Sequence, residues 1–263
     1  MTAGWFGELY RETTAGRLTP RVSRAEAAVI AALLRLEPGE RVLDVACGEG
    51  RHLAALAGSG PRLAGVDRDA ASLRLAAGAA GPGAPAGRDR GADGERARRD
   101  RAGITLVRAD FHALPFGPVF DAAWSWYSSL FLSDEAGNAA ALAEVARVLR
   151  PGGRLLVQHA NPARLAREPE ARWEGTAAGG GRVSERARYD PAAGVETLSR
   201  SLDRGGRVLA GTVRLRYYNG TEWTALAARA GLRLRELAST GEAGPAPYSD
   251  DGLDLVAVLE KPT

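Results

Sequence analysis

The sequence predicts an α/β protein built around a parallel sheet. Short apolar runs alternate with segments of helical periodicity through the first 160 residues, which is typical of buried strands covered by helices. The first run, formed by Val42, Leu43 and Val45, leads into a glycine-rich turn at residues 47–50, and helical spacing resumes at Arg51. A strand, a glycine turn and a helix in this order indicate the opening of a nucleotide-binding βαβ unit.

The glycine turn also argues against one class of ligand. Glycine is required where a ligand presses on the backbone, because a Cβ would collide with it. A dinucleotide fingerprint reads G-x-G-x-x-G, and this chain has Leu53 where the third glycine would follow Gly48 and Gly50. The turn therefore favours a different nucleotide-like ligand.

Six further strands are predicted along the chain. They are predicted at residues 63–66, 104–109, 120–126, 154–160, 232–237 and 253–259. The second strand ends in Asp67, about 20 residues beyond the glycine turn, where nucleotide-binding folds hold ribose hydroxyls. The third strand ends at Asp110 and Phe111.

Two helices are predicted before the first strand. Trp5, Phe6, Leu9 and Tyr10 share one helical face, which indicates a terminal helix that docks on the core or covers the site. The segment from Ser23 to Glu26 matches a capping box, so the second helix is predicted to begin there.

Two segments interrupt the alternation within what we interpret as one domain over residues 1–263. Residues 79–101 carry too little apolar surface to offset their ordering entropy, which predicts a disordered insertion. Residues 161–219 form an antiparallel insertion after strand five, interpreted as a substrate cap. Its three predicted strands span residues 183–189, 195–202 and 208–218.

Composition restricts the protein further. The formal net charge is only +3, and the arginines of residues 79–101 are mixed with acids, so no nucleic-acid surface is indicated. Cys47 is the only cysteine, interpreted as a small residue packed beside a ligand, and no cluster has metal-ligand spacing. No apolar run is long enough to span a membrane, and the first residues lack a signal-peptide core, so we expect a cytoplasmic protein without membrane association.

Three stretches together carry a family resemblance. The stretch VLDVACGEG holds Asp44, Cys47, Gly48 and Gly50, and FDAAWSWYSSLF and LAEVARVLRPGGRLLV follow later in the chain. They resemble the motifs of class I S-adenosylmethionine-dependent methyltransferases, and the resemblance covers essentially the whole chain apart from residues 79–101. It implies a Rossmann-like, seven-stranded mixed sheet with helices on both faces. It also implies methyl transfer from S-adenosylmethionine to a small molecule at a nitrogen, oxygen or carbon nucleophile.

The resemblance also assigns residues to the two ligands. In the family the second-strand acid meets the ribose, and the third-strand acid and the residue after it meet the adenine; a carboxylate and an aromatic ring suit these roles. The residues expected to bind the cofactor are Asp44, Ala46, Cys47, Gly48, Gly50, Asp67, Arg68, Asp110, Phe111, Ser125 and Trp126. The residues expected to contact the acceptor are Trp5, Tyr10, Ser128, Tyr217 and Tyr218.

Methyl transfer by in-line displacement mainly requires alignment of the nucleophile. A general base is needed only where the acceptor is protonated at the working pH. His159, at the end of strand five, is the first candidate for such a catalytic base, and Tyr127 is the second. A hydrogen-bonded structural histidine at a strand end is the alternative interpretation of His159.

Other functions stay open on the sequence. A nicotinamide-dependent oxidoreductase shares the βαβ opening, although Leu53 and the terminal strand pair argue against it. A nucleic-acid base methylase usually carries Asn/Asp-Pro-Pro-aromatic after strand four, where this chain has SWYS at residues 125–128. A non-catalytic S-adenosylmethionine-binding protein is a third possibility, and the sequence fits either a monomer or a homodimer.

Overall fold

The computed structural model describes residues 7–14, 16–79, 88–90, 96–99, 103–241 and 244–263. In this part of the chain the helices are α1 (Glu8–Thr14), α2 (Pro20–Leu34), α3 (Arg51–Leu56), α4 (Ala70–Ala79), α5 (Glu135–Val148), α6 (Pro162–Arg167) and α7 (Gly220–Arg229). The strands are β1 (Arg41–Val45), β2 (Arg62–Asp67), β3 (Arg88–Arg90), β4 (Arg96–Arg99), β5 (Thr105–Arg108), β6 (Phe120–Ser125), β7 (Leu149–Ala160), β8 (Glu170–Thr176), β9 (Arg182–Asp190), β10 (Val195–Arg204), β11 (Arg207–Arg216), β12 (Arg233–Gly241), β13 (Gly244–Pro247) and β14 (Asp254–Glu260).

Most strands belong to one large sheet. Its order is β13-β12-β14-β7-β6-β1-β2-β5-β4-β3. The strands from β7 to β5 are parallel neighbours, and β14 lies antiparallel between β7 and β12. The seven strands from β12 to β5 are the predicted mixed sheet, which is confirmed.

The sheet is longer than predicted at both edges. At one edge β13 pairs with β12, and at the other β3 pairs with β4, which pairs with β5. Strands β3 and β4 fall inside residues 79–101. Their seven residues therefore form strands where disorder was predicted. Backbone groups can pair with an exposed sheet edge whatever the side chains are, and composition does not report this. Residues 80–87, 91–95 and 100–102 lie outside the described part of the chain.

Helices cover both faces of this sheet. One face packs on α5 and α7, with Phe131, Leu142 and Trp223 fully buried between them. The other face packs on α2, α3 and α4, with Ile30 and Trp124 fully buried. The prediction of helices on both faces is confirmed. The carboxyl ends of β1, β2, β5 and β6 therefore form one rim, where open α/β sheets bind ligands.

Helix α2 begins earlier than the sequence indicated. Thr19 is its N-cap, with the Thr19 hydroxyl accepting from the Val22 N–H across 3.3 Å, and Pro20 occupies the first helical position. Proline suits that position because its fixed φ is helical and its missing N–H would be unpaired anyway. The predicted cap at Ser23 is therefore wrong, and Glu26 lies in the body of the helix instead of its first turn.

The antiparallel insertion forms a separate sheet of four strands, ordered β11-β10-β9-β8, and α6 precedes it. Three strands were predicted, and β8 was missed because nearly all its residues are exposed, so it shows no buried alternation. Helix α1 packs on this sheet through Leu9, which contacts a cluster containing Val183 and Leu202. The N-terminal helix is thus part of the cap.

Leu53 and Gly65 explain how the glycine turn is packed. A Cβ added to Gly65 on β2 would lie 2.6 Å from Leu53 Cδ1 and 2.9 Å from Cys47 Sγ. Close packing of this helix on the sheet is usually provided by the third glycine of the dinucleotide fingerprint. Here the larger Leu53 takes that position, and the glycine stands on the neighbouring strand.

Candidate active site

The turn after β1 is open on its outer side. Ala46, Gly48 and Gly50 have positive φ values of 62°, 54° and 69°, which turn the backbone sharply between β1 and α3. A Cβ added to Gly48 would meet no atom within 4 Å. The Cys47 N–H donates to the Val66 carbonyl across 2.9 Å, which holds the turn against β2. The turn therefore presents backbone to free space at the ligand-binding rim.

Asp67 lies directly beside this turn. Its Oδ2 accepts from the Gly48 N–H and its Oδ1 from the Asp69 N–H, both across 2.8 Å. Burial raises the pKa of Asp67, and the charge of Arg68 acts in the opposite direction. Each carboxylate oxygen can accept more than one hydrogen bond, so Asp67 keeps capacity for ligand hydroxyls.

Asp44 and Cys47 are more deeply buried. Asp44 is 3% exposed, and burial raises its pKa to about 8, although the charge of Arg51 lowers it. Cys47 is 8% exposed, and burial raises the pKa of its thiol well above the usual value. A thiol that stays protonated is a poor nucleophile, which supports the interpretation of Cys47 as a small packing residue.

Asp110 and Phe111 stand at the rim beyond β5. Asp110 Oδ1 accepts from the backbone N–H of His112 and contacts His112 Nδ1, both across 2.9 Å. The backbone hydrogen bond lowers the pKa of Asp110, and so does the charge of Arg68. The Phe111 ring lies 4.6 Å from the His112 ring. An ionised acid and an aromatic face are therefore available side by side.

Two polar atoms at the end of β6 test whether a ligand fits here. The Ser125 hydroxyl and the Trp126 indole N–H are buried and have no hydrogen-bond partner among the described residues. Orphaned polar atoms are costly in a folded protein, so a bound polar group is the simplest account of them. With the open space at Gly48 and the acids at positions 67 and 110, these residues fit S-adenosylmethionine.

Glu26 connects three elements around the site, and sequence reasoning missed it. Its Oε1 accepts from the Tyr127 hydroxyl across 2.9 Å, and its Oε2 contacts His52 Nε2 at 3.0 Å and the Arg51 guanidinium. Burial opposes the charge on Glu26, but the His52 hydrogen bond and Arg51 together hold its pKa below the usual value. Glu26, the pair at residues 51–52 and Tyr127 come from three segments far apart in the sequence, and the pattern around Glu26 resembled a helix cap.

Tyr127 is held in place rather than poised as a base. Tyr127 and Ser128 have left-handed φ values of 56° and 60°. Gln158 supports both, accepting from the Tyr127 N–H at its side chain and from the Ser128 N–H at its carbonyl. Burial and the neighbouring Glu26 raise the pKa of the Tyr127 phenol, so it donates a hydrogen bond at neutral pH. This arrangement gives no support to the prediction of Tyr127 as a base.

His159 is a structural residue. It is fully buried, its Nε2 accepts from the Trp223 indole N–H across 2.9 Å, and its Nδ1 then donates to the Ala160 carbonyl across 2.7 Å. Its ring also stacks on Tyr217 at 5.5 Å. Burial lowers the pKa of His159 to about 4. Both ring nitrogens are occupied, so the prediction that His159 acts as a base is wrong.

The residues predicted to contact the acceptor divide into two groups. Tyr10 and Tyr217 belong to one cluster between the cap and the rim, and Ser128 lies beside the Tyr217 hydroxyl. Tyr218 instead lies in the core, where its hydroxyl accepts from Asn138 Nδ2 across 3.0 Å, so its predicted role is wrong. Adjacent residues of an extended chain point to opposite faces, which separates the two tyrosines. Trp5 lies outside the described residues.

The N-terminal helix is attached to the rim by an ion pair. The Arg11 guanidinium donates to Asp69 Oδ2 across 2.6 Å. Asp69 also accepts from the Ser72 N–H at the start of α4, and its own N–H donates to Asp67. Helix α1 and its Tyr10 are thereby held next to the predicted ribose acid.

Metal chemistry and a membrane span receive no support from the described residues. Within them no group of three His, Cys, Asp or Glu side chains could hold a metal ion. None of the helices described above is long and apolar enough to cross a membrane.

Comparison with known proteins agrees with the geometry. Residues 43–157 match the family model described as a methyltransferase domain. The chain is 29% identical over 229 residues to the cypemycin N-terminal methyltransferase of a Streptomyces species, covering 85% of this chain and 84% of that one.

Solved structures show the same fold. The CcbJ methyltransferase from Streptomyces caelestis superimposes with a TM-score of 0.71 at 22% identity, covering 97% of this chain and 98% of that one. CalS10, an S-adenosylmethionine-bound amino pentose methyltransferase from Micromonospora echinaspora, gives a TM-score of 0.64 at 21% identity, with coverages of 97% and 98%. Motif, relative and fold agree on a methyltransferase domain with the class I S-adenosylmethionine-dependent fold, which supports methyl transfer from S-adenosylmethionine to a small-molecule acceptor.

Proposed function

We propose that the enzyme methylates an amine nitrogen of a small molecule held between the glycine turn and the cap. The observation that carries this proposal is that both side chains predicted as bases already take part in hydrogen bonds within the protein. His159 is buried in the core as a neutral ring that accepts from Trp223, and the Tyr127 phenol donates to Glu26. A hydroxyl acceptor needs a base during attack, whereas an amine attacks through its own lone pair once it has lost a proton to solvent.

The relative that aligns over most of the chain supports this choice. Its name, cypemycin N-terminal methyltransferase, describes an enzyme of a polypeptide N-terminus, which carries an amine. An α-amino group has a pKa of about 8, so roughly a tenth of these groups are unprotonated at pH 7. Such an acceptor needs alignment more than it needs acid–base catalysis.

We assign the cofactor contacts on the same rim. Asp67 would hold the ribose hydroxyls, and Asp110 with Phe111 would hold the adenine, with Arg68 between the two acids. The methionine end would lie against Asp44, the turn at residues 46–50, Ser125 and Trp126. The open space at Gly48 and the two orphaned polar atoms support this placement. S-adenosylmethionine supplies a methyl group that is already activated on its sulfonium.

The protein's own groups would align the acceptor and exclude water. Glu26 fixes the Tyr127 ring, and Gln158 fixes the backbone of Tyr127 and Ser128 in its left-handed turn. Helix α1 and the cap would cover the acceptor from above. Alignment of this kind can supply roughly 7–11 kcal/mol of the barrier reduction.

We also propose that the enzyme acts in the cytoplasm on a small molecule rather than on nucleic acid, as a monomer or a homodimer. Support comes from the segment at residues 125–128, which lacks the Pro-Pro-aromatic run usual in nucleic-acid base methylases.

The experiment uses matched acceptors that differ in the nucleophile alone. The purified enzyme is incubated with S-adenosylmethionine labelled in its methyl group and with paired compounds: 2-phenylethylamine and 2-phenylethanol, glucosamine and glucose, and a tripeptide with a free or an acetylated N-terminus. We expect the label on the amine member of at least one pair. Label on alcohols and on none of the amines would refute the proposal, and omission of the acceptor gives the background.

A further inference from the structure

The cap contains a buried carboxylate that pairs with no cationic side chain of the described residues. Glu196 on β10 is 7% exposed, and its Oε2 accepts from the Tyr217 hydroxyl across 2.7 Å. The neighbouring Glu185 is paired with Arg200, and Glu26 is paired with Arg51. Within the described residues Glu196 forms no ion pair with an arginine, lysine or histidine.

The surroundings of Glu196 make this arrangement costly. In the cap sheet Glu196 lies opposite Tyr189 on β9 and Leu215 on β11, and both belong to the apolar cluster that also contains Tyr217. Burial raises the pKa of Glu196, and the charge of Glu185 raises it further. A buried carboxylate is normally paired with a cation when it is ionised, and among the described residues Glu196 has no such ion pair.

The position of Glu196 points to the acceptor as the source of that charge. Tyr217, its hydrogen-bond partner, lies beside the Ser128 side chain, two residues beyond Trp126 at the end of β6. Tyr10 belongs to the same cluster as Tyr217, and the charge of Arg51 at the start of α3 acts on Tyr10. A row of polar groups thus runs from the rim, through Ser128 and Tyr217, to the carboxylate of Glu196.

We propose that Glu196 binds the ammonium group of a cationic acceptor as it enters and selects it over a neutral molecule of the same shape; the nitrogen then loses its proton to solvent before it attacks. This inference rests on the proposed amine methylation and names the residue that recognises the amine. A carboxylate forms a charge-assisted hydrogen bond with an ammonium, and the rings of Tyr189 and Tyr217 can add cation–π attraction. The site therefore distinguishes acceptors by charge.

The test compares Glu196→Gln with Glu174→Gln, a control that removes an exposed carboxylate of the same cap sheet. The proteins are saturated with S-adenosylhomocysteine, and the binding of 2-phenylethylamine and of 2-phenylethanol is measured by calorimetry. The wild type should prefer the amine by at least about tenfold. Glu196→Gln should weaken amine binding by about 10- to 100-fold and leave alcohol binding unchanged. Glu174→Gln should behave as the wild type does.

Two further variants separate recognition from folding. Glu196→Asp keeps the charge at a shorter reach and should retain part of the preference for the amine, even where Glu196→Gln does not fold. Tyr217→Phe removes the hydroxyl that donates to the carboxylate and should preserve the preference. Equal losses of melting temperature in Glu196→Gln and Tyr217→Phe, with an unchanged amine-to-alcohol ratio, would show a purely structural pair and overturn the inference.

The outcomes also distinguish the inference from the proposed function. A wild type that shows no preference, or a Glu196→Gln variant that binds the amine like the wild type, overturns the inference. If such a variant still methylates amines, the proposed function stands without Glu196. If the label reaches alcohols alone, the proposed function fails together with the inference, whatever the calorimetry shows.

Discussion

The indole N–H of Trp223 donates to Nε2 of His159 across 2.9 Å, between residues 64 positions apart in the chain. This bond requires Nε2 to be unprotonated, so the proton is on Nδ1, which donates to the Ala160 carbonyl. The neutral imidazole thereby joins α7 to the end of β7. A histidine in the expected place for a base is instead part of the core.

His159 should make the fold sensitive to acid. Its pKa is about 4 in the folded protein, against an ordinary value of 6.5. Between these values the unfolded chain binds more protons, so stability is complete above pH 6.5 and falls as the pH drops toward 4. The total loss should be about 3 kcal/mol. Urea unfolding at several pH values should show this loss in the wild type. The control variant His112→Gln, which removes a half-exposed histidine, should show the same loss. An equal acid dependence in His159→Gln would contradict the assignment.

Tyr127 and Glu26 should act as one unit in turnover. Tyr127→Phe removes the hydrogen bond to Glu26 and should lower single-turnover methyl transfer by roughly 10- to 100-fold, because alignment is impaired but no base is lost. Glu26→Gln should have an effect of similar size, and the double variant should be less than additive. Tyr248→Phe, which removes a partly buried hydroxyl contact with Asn161 outside the site, serves as the control. A fall of four orders of magnitude in Tyr127→Phe, rescued by raising the pH, would instead indicate a phenolate base.

Asp67 should account for much of the cofactor affinity. Asp67→Asn removes the charge that would accept from the ribose hydroxyls, and it weakens the bond from the Gly48 N–H. We expect binding of S-adenosylmethionine to weaken by about 1.5–3 kcal/mol, measured by calorimetry. Asp203→Asn on the exposed side of the cap should leave the affinity unchanged. An unaltered Kd in a folded Asp67→Asn protein would remove the ribose assignment.

Gly65 should be intolerant of a methyl group as long as Leu53 is present. Gly65→Ala places a Cβ 2.6 Å from Leu53 Cδ1, which should cost about 1–3 kcal/mol of unfolding free energy. Leu53→Ala creates space, so Gly65→Ala should cost less in that background. Gly78→Ala in α4 has no atom within 4 Å and should be neutral or stabilising. Additive costs of the Gly65 and Leu53 substitutions in denaturant titrations would disprove the packing relationship.

Much of the fold and of the cofactor rim could be predicted from the sequence because the signals are local. The apolar run at residues 42–45 and the glycines at 48 and 50 specify a strand and a turn within ten residues. Asp67 and Asp110 end strands that the same alternation predicts, and parallel strands bring their carboxyl ends to one rim. The edge strand β8 was missed because it is exposed and therefore carries no local apolar signal.

By itself the sequence determined the βαβ opening, the seven central strands and the family resemblance, because apolar periodicity and glycine turns depend on near neighbours in the chain. The tertiary structure alone decided which polar groups become partners. Tyr127 meets Glu26 across 101 positions, Tyr217 meets Glu196 across the cap sheet, and His159 meets Trp223 in the core. The chemistry of a histidine, a tyrosine or a carboxylate depends on burial and on the group it faces. Burial and the facing group are both set by packing between segments that lie far apart in the chain, and no short-range pattern relates such segments.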